Sequence, residues 1–238
     1  MKKPQFANNQ IYHIYNRGVE KRKIFLDDKD YFRFIHDLFE FNDLNPAINL
    51  FYYFNSQSIE VEHHYFKKEQ KSRKLLVEIL AFVLMPNHFH LLLRQKREGG
   101  IIKFMQKLGG YTMYFNQKYE RVGPLFQGRF KAILIKDHSH LIHLPYYIHL
   151  NPIELAFPDW PNHQGSTSLI INFLEKYRWS SWLDYVGIKN FPSVTSREFL
   201  ADIFGGPEKH KKETIKWLKS RKLERALEII KPIILEEN

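Results

Sequence analysis

Residues 85–93 (MPNHFHLLL) set His88 and His90 two positions apart in an otherwise apolar run. A strand repeats every two residues, so both imidazoles face one side and Phe89 faces the other. Two neutral imidazoles side by side are half of a divalent-metal site. Further along, in YYIHLNP, Asn151 follows Tyr147 by four residues, which puts both on one face of a helix. Two imidazoles and an amide oxygen can hold a divalent cation, and a phenol one helical turn away can attack whatever that cation binds. Tyr146 points about 100° away around the helix and lacks an i+4 partner, so it ranks second as a nucleophile. Each residue also has a plainer use: a histidine pair on a half-exposed strand, a tyrosine in a core, an asparagine closing a helix before Pro152.

Composition narrows the chemistry. Among 238 residues there is no cysteine, which excludes disulfides, a thiolate nucleophile and cysteine-ligated zinc. The chain carries a formal net charge of +10 and a pI near 9.5, a balance that suits an anionic partner such as nucleic acid. The opening MKKPQFANNQ has no apolar core of a secretory signal, and no run of about 18 apolar residues suits a membrane span. A cytoplasmic protein without a membrane partner is expected. No phosphate-binding G-x-x-x-x-G-K-[ST] loop is present.

The elements that must position these residues are legible in outline. IYHIYNRG alternates as a strand from about Ile11 to Asn16 and ends on Gly18. Asp27 caps a helix whose apolar positions Tyr31, Phe34, Ile35, Leu38 and Phe39 recur at helical spacing. Residues 44–74 are polar apart from FYYF and read as an insertion. LLVEILAFVLM and HFHLLLRQ are two strands joined at Pro86–Asn87, so the histidine pair opens the second strand of a hairpin. A long amphipathic helix follows from Gly99, weakened at Gly109 and Gly110 and stopped at Gly123 and Pro124. A strand begins near Arg129, and Asp137 caps a helix that carries Pro145 and Tyr147. Beyond Pro158 comes a linker, then helices, among them one with Thr195 and Glu198 as a capping box and a strongly basic one from Glu208. The hairpin demands antiparallel pairing, which points to an α+β fold with helices on one face of the sheet.

Several stretches together resemble one family. MPNHFHLLL is similar to the His–hydrophobic–His signature of the HUH nucleases. YHIYNRG with IFLDDKDYFRF, then YFNQKYERVGPLFQGRFK, YIHLNP and YRWSSW, resemble in that order the motifs of the REP-associated tyrosine transposases, single-tyrosine members of the insertion-sequence transposase superfamily. The resemblance covers most of residues 11–158 and a patch near Trp179. It implies a ferredoxin-like antiparallel sheet as the catalytic domain over residues 1–158, interrupted by the insertion at 44–74, and a helical extension over 159–238 that is a candidate DNA-binding element.

What the resemblance implies chemically is cleavage and rejoining of single-stranded DNA beside hairpins. His88, His90 and Asn151 correspond to the metal site, for Mg²⁺ or Mn²⁺, and Tyr147 to the nucleophile that forms a 5′-phosphotyrosine and releases a 3′-OH. One phosphodiester is exchanged for another, so no ATP is needed. Asn16, Arg17, Gln127, Arg129 and Lys131 are the candidate DNA contacts, because single strands are held by cationic grooves and aromatic platforms. Relatives act as monomers or homodimers. The chain departs from the pattern at Glu154, where a basic residue is expected after Asn-Pro, and His143 lies one turn before Tyr147, where it either tunes the phenol or sits partly exposed. Two other readings remain: a non-catalytic DNA-hairpin-binding regulator derived from a transposase, and a histidine–metal hydrolase that activates water and needs no tyrosine.

Overall fold

The computed structural model describes residues 5–46, 73–158 and 166–219. Strands β1 (Ile11–Arg17), β2 (Val77–Met85), β3 (His88–Gln95) and β4 (Lys131–Leu134) form one antiparallel sheet in the order β2-β3-β1-β4. Helix α1 (Asp28–Glu40) lies between β1 and β2 in the chain, and α2 (Gly100–Leu108) with α3 (Gly110–Lys118) lies between β3 and β4. This is the ferredoxin-like α+β arrangement expected from the sequence. Asp27 caps α1 through the Asp30 amide at 3.1 Å, and Asp30 returns the bond to complete a capping box. The single long helix expected after Gly99 is instead two helices, broken at Gly109. The second capping box is absent. Helix α8 (Glu198–Phe204) begins after Arg197, and Thr195 Oγ1 is buried without a hydrogen-bond partner among the described residues.

Helices α1, α2 and α3 cover one face of the sheet, where Phe34, Phe104 and Tyr111 pack with Tyr12, Ile14, Phe82, Phe89 and Leu91. The other face is covered as well, which the expectation of helices on one face had left out. There α4 (His138–Leu150), α5 (Ile153–Ala156), α6 (Thr167–Lys176), α7 (Trp182–Tyr185), α8 and α9 (Pro207–Lys219) pack Leu144, Ile148, Ile153, Ile170, Trp182 and Phe204 against Ile11, Ala81, Val83, Met85 and Leu92. The physical cause is in β2 and β3: LAFVLM (Leu80–Met85) and LLL (Leu91–Leu93) are apolar at consecutive positions, and a strand with two apolar faces must be buried on both. Residues 166–219 therefore share a core with the tyrosine helix rather than forming a detached lobe.

The YRWSSW segment explains how this extension attaches. β2 is an edge strand, and its outer backbone groups are taken up by residues 179–181. Leu84 N donates to Trp179 O at 2.9 Å, Ser181 N donates to Phe82 O at 3.0 Å, and Ser181 Oγ accepts from Phe82 N at 3.0 Å. Tyr177 Oη adds a bond to Leu84 O at 2.6 Å. An exposed edge of this hydrophobicity would invite pairing with other chains, and this segment covers it.

Most of the insertion expected at 44–74, residues 47–72, lies outside the described residues, as do most of the linker (159–165) and the end of the basic helix (220–238). The insertion's described ends meet, with Leu44 N donating to Lys74 O at 2.9 Å. Among the described residues no helix is long and apolar enough to cross a membrane.

Gly18 closes β1 for a reason the sequence did not disclose. Its φ of −60° suits any residue, but a Cβ there would lie 2.2 Å from the carbonyl oxygen of Arg22 and 2.9 Å from Ile24 Cγ2. The chain folds back tightly on itself just after Arg17, and its next amides reach the hairpin turn: Gly18 N to Asn87 O at 2.8 Å and Ile24 N to Pro86 O at 2.7 Å. Gly18→Ala is expected to cost about 1–3 kcal/mol through overpacking, read as a lowered urea midpoint. A midpoint equal to wild type would show that the close approach is not required.

Candidate active site

The histidine face of the sheet is built from two strands. In β3, His88 and His90 alternate with the inward Phe89, as their spacing demands. The adjacent β1 places Tyr15 opposite His90 and Arg17 opposite His88, with His13 one diagonal step away. The His88 and His90 rings stand 5.0 Å apart at 87° to each other. Helix α4 lies over this face and brings Tyr147 edge-on to His90, with ring centroids 5.5 Å apart. Asn151, four residues on, reaches His88 with its Oδ1 3.3 Å from Nε2. The four residues singled out by spacing thus meet at one place.

Tyr146 faces elsewhere. Its ring is stacked on Trp217 at 4.6 Å and on His210 at 4.9 Å, both from α9. His143 also packs on Trp217, at 5.0 Å, so it serves the contact with α9. The basic helix α9 turns Trp217 inward and packs with Ile215 and Leu218, while Lys209, Lys212, Lys216 and Lys219 are exposed.

The tautomer of His88 can be read from its neighbours. Asn87 Nδ2 donates to Lys21 O at 3.4 Å, which turns Asn87 Oδ1 toward the ring, where it lies 2.6 Å from His88 Nδ1. An amide oxygen only accepts, so Nδ1 carries the proton and Nε2 carries a lone pair. That lone pair and the Asn151 oxygen converge, which is how two ligands of one cation are arranged.

Burial keeps the site's imidazoles neutral. The pKa of His88 falls to about 4, first because burial disfavours the charged form and then because Arg17 is near, against a raising contribution from Asn151. That of His90 is driven well below its ordinary value by burial and then by its neighbours His88, His13 and Arg17. His13 falls to about 3 through burial. Neutral imidazole is the form that binds metals. Among the described residues no group of three or more His, Asp or Glu is placed to hold a metal ion, so a cation here would rest on His88, His90 and the Asn151 amide. Two imidazoles and a carbonyl oxygen fit a divalent ion that keeps other positions for water and phosphate oxygens.

The candidate DNA contacts divide between the two faces of the sheet. Arg17 and Lys131 lie on the histidine side. Lys131 is exposed, opposite Tyr15 in the ladder, with its ammonium 5.7 Å from the Tyr15 ring centre. Asn16 points the other way and binds Gly128 O at 3.1 Å. It lines a cleft of about 530 Å³ with Phe89, Gln106, Phe126, Arg129 and Phe130. Gln127 and Arg129 are exposed in the loop before β4 rather than within the strand, and Gln127 N is held by Arg17 O at 2.9 Å. Glu154, the residue out of pattern, is exposed at the start of the short helix that follows α4. The loss of part of its hydration raises its pKa, and nearby Arg17 lowers it.

Sequence reading missed His13. Its Nε2 lies 2.9 Å from His90 Nδ1, and the two rings are stacked at 5.0 Å. Alternation in IYHIY places His13 and Tyr15 on one face, but only the pairing of β1 with β3 shows that this face is the one bearing the histidines.

Residues 52–151 match the model of a family described as IS200-like transposases. No curated protein matches the chain. Among solved structures the chain is similar to a REP-associated tyrosine transposase bound to a REP hairpin, with 14% identity, 83% of this chain and 92% of that chain covered, and a TM-score of 0.47. The matched stretch spans β2 through the end of α4. His88, His90, Tyr147 and Asn151 all lie within the stretch that is similar to the IS200-like transposases.

Proposed function

We propose that this protein is a metal-dependent transesterase that cleaves and rejoins single-stranded DNA next to hairpins through Tyr147. The observation that carries the reading is the meeting of Tyr147, His88, His90 and Asn151 within the segment matching the IS200-like transposases. His88, His90 and Asn151 would hold the Mg²⁺ or Mn²⁺, which when bound polarises a phosphate and offsets its charge. The rest is the work of the chain. Tyr147 Oη forms a bond to phosphorus while the bond to O3′ breaks. The phenol proton is given up and the departing 3′ oxygen takes one from solvent, leaving a 5′-phosphotyrosine. The reverse attack by a 3′-OH reseals DNA.

Helix α4 supports this role by being held from both sides. The sheet lies beneath it and the stacked Trp217 and His210 lie against Tyr146, so the phenol is presented from a fixed element. Burial and covering helices keep water from most of the site, since Tyr147 is only 9% exposed. The basic side chains, Arg17 and Lys131 on the histidine side, Arg129 beside the cleft on the other side and the outer lysines of α9, suit the phosphates of a single strand and of a hairpin stem.

Metal removal separates catalysis from binding. His88→Ala or His90→Ala is expected to abolish cleavage of a hairpin-bearing single strand while largely sparing its binding, because phosphate contacts elsewhere supply most affinity. EDTA should act likewise on wild type, with Mg²⁺ or Mn²⁺ restoring cleavage. Full cleavage by the double alanine variant in EDTA would overturn the metal role, and hairpin binding with no cleavage under any metal would leave a DNA-binding regulator.

A further inference from the structure

We propose that His13 is a positioning residue for His90, accepting a hydrogen bond that holds the His90 imidazole in the tautomer able to ligate a cation. The inference rests on the metal reading of His88 and His90 above. Both rings are fully buried, and His13 Nε2 lies 2.9 Å from His90 Nδ1. One nitrogen donates and the other accepts, so there are two arrangements. In the first, His90 Nδ1–H donates to His13 Nε2, and the His90 lone pair is on Nε2. In the second, His13 donates, the lone pair on His90 points at His13, and its Nε2 carries a proton that no cation can displace without a change of tautomer.

The neighbouring ligand decides between them. His88 has its Nδ1 bonded to Asn87 Oδ1, which leaves its lone pair on Nε2, the nitrogen that meets Asn151. Only the first arrangement gives His90 the same polarity, with both Nδ1 atoms donating backward and both Nε2 atoms able to bind one ion. A ligating histidine ordinarily donates its other N–H to a fixed acceptor, and here a strand neighbour supplies that acceptor. His13 Nδ1 is buried without a hydrogen-bond partner among the described residues in either arrangement, so it does not favour one over the other. The near-parallel stacking of the two rings, at 18°, and of His13 on Tyr15 at 5.0 Å, locks the acceptor in place. His13 is thus to His90 what Asn87 is to His88.

The test has two arms. Long-range ¹H–¹⁵N correlation on the metal-free protein, with His90 assigned by its loss in His90→Ala, reads the tautomer directly. The expected spectrum shows a protonated Nδ1 and an unprotonated Nε2 for His90; the opposite assignment overturns the proposal. The second arm measures Mn²⁺ affinity by titration with electron paramagnetic resonance. His13→Met keeps the volume and removes the acceptor, and should weaken Mn²⁺ binding about 10–100-fold. His13→Gln offers an amide oxygen in the place of Nε2 and should bind Mn²⁺ close to wild type. Equal affinities in the two variants, whether both low or both unchanged, would reduce His13 to packing and overturn the proposal. If His13→Met fails to fold, the tautomer spectrum and the Gln variant still decide. Should wild type bind no Mn²⁺ while the spectrum shows the expected tautomer, the metal reading fails and the hydrogen bond to His13 stands.

Discussion

Tyr147→Phe is expected to eliminate a covalent protein–DNA adduct that survives boiling in SDS, and to lower strand cleavage by a factor on the order of 10⁴ or more, as loss of a nucleophile does. The change removes one oxygen, so folding and hairpin binding should be retained. Tyr146→Phe is the informative control, because the two phenols are adjacent in sequence but opposed in space. Tyr147 stands edge-on to His90, whereas Tyr146 lies between the rings of Trp217 and His210. A phenyl ring at position 146 would keep those stacking contacts, and adduct formation should remain near wild type. The adduct is to be read by gel mobility of labelled single-stranded DNA carrying a hairpin. Adduct formation by Tyr147→Phe but not by Tyr146→Phe would exchange the roles of the two. Retained cleavage in both variants, with no covalent species, would favour a hydrolase that activates water.

The second large effect is acid unfolding. Among the described residues five histidines are buried with their pKa values depressed: His13 to about 3, His88 to about 4, His210 to about 3, and His90 and His149 well below the ordinary 6.5. In every case burial is the leading cause. For His149 the charge of His210 adds to it, and the rings of these two lie 5.7 Å apart. The sign follows from proton linkage. Below pH 6.5 the unfolded chain takes up protons that the native state refuses, so stability is fully present above that pH and falls as pH drops toward 4. Each histidine contributes up to about 1.4 kcal/mol per pH unit across this window, against a total stability of roughly 5–15 kcal/mol for a typical domain. In EDTA, the urea midpoint should drop as pH falls below 6.5, offset in part by Asp37, whose buried carboxyl is raised to about 7 and gains a proton in the native state over the same window.

His210→Phe tests this away from His88 and His90. His210 sits among Phe204 at 4.2 Å, Tyr146 at 4.9 Å and Tyr185 at 5.8 Å, and neither of its ring nitrogens has a hydrogen-bond partner among the described residues. A phenyl ring suits that box and cannot be protonated. The variant should match or exceed wild type near neutrality and lose stability less steeply in acid, by up to one proton in the slope. A wild-type midpoint that does not change between pH 7 and pH 5 would contradict the linkage.

Local periodicity made several parts of this protein legible in its sequence. The two-residue repeat of a strand put His88 and His90 on one face, and the helical repeat put Tyr147 and Asn151 on one face while turning Tyr146 away. Asp27 announced α1, and Pro86–Asn87 announced the hairpin turn. These features depend on backbone geometry over a few residues, so no knowledge of the fold is required. The apolar runs of β2 and β3 also held the information that both faces are buried, although alternation at the histidines suggested otherwise.

Only the tertiary structure decided how these local faces combine. The strand order puts β1 beside β3, which turns His13 from an ordinary strand residue into the partner of His90 and makes Arg17 rather than Asn16 the residue on the histidine side. The docking of α4 between the sheet and α9 determines that the phenol near the histidines belongs to Tyr147 and that Tyr146 is enclosed. The YRWSSW segment acquires its role from the bare edge of β2, far earlier in the chain: its hydrogen bonds span 93 residues for Tyr177–Leu84 and 99 for Ser181–Phe82. Depressed histidine pKa values are likewise absent from the sequence, because desolvation is a property of what surrounds a group. Contacts between residues far apart in the chain depend on strand pairing and helix docking, and those are settled by the burial of apolar surface across the whole molecule.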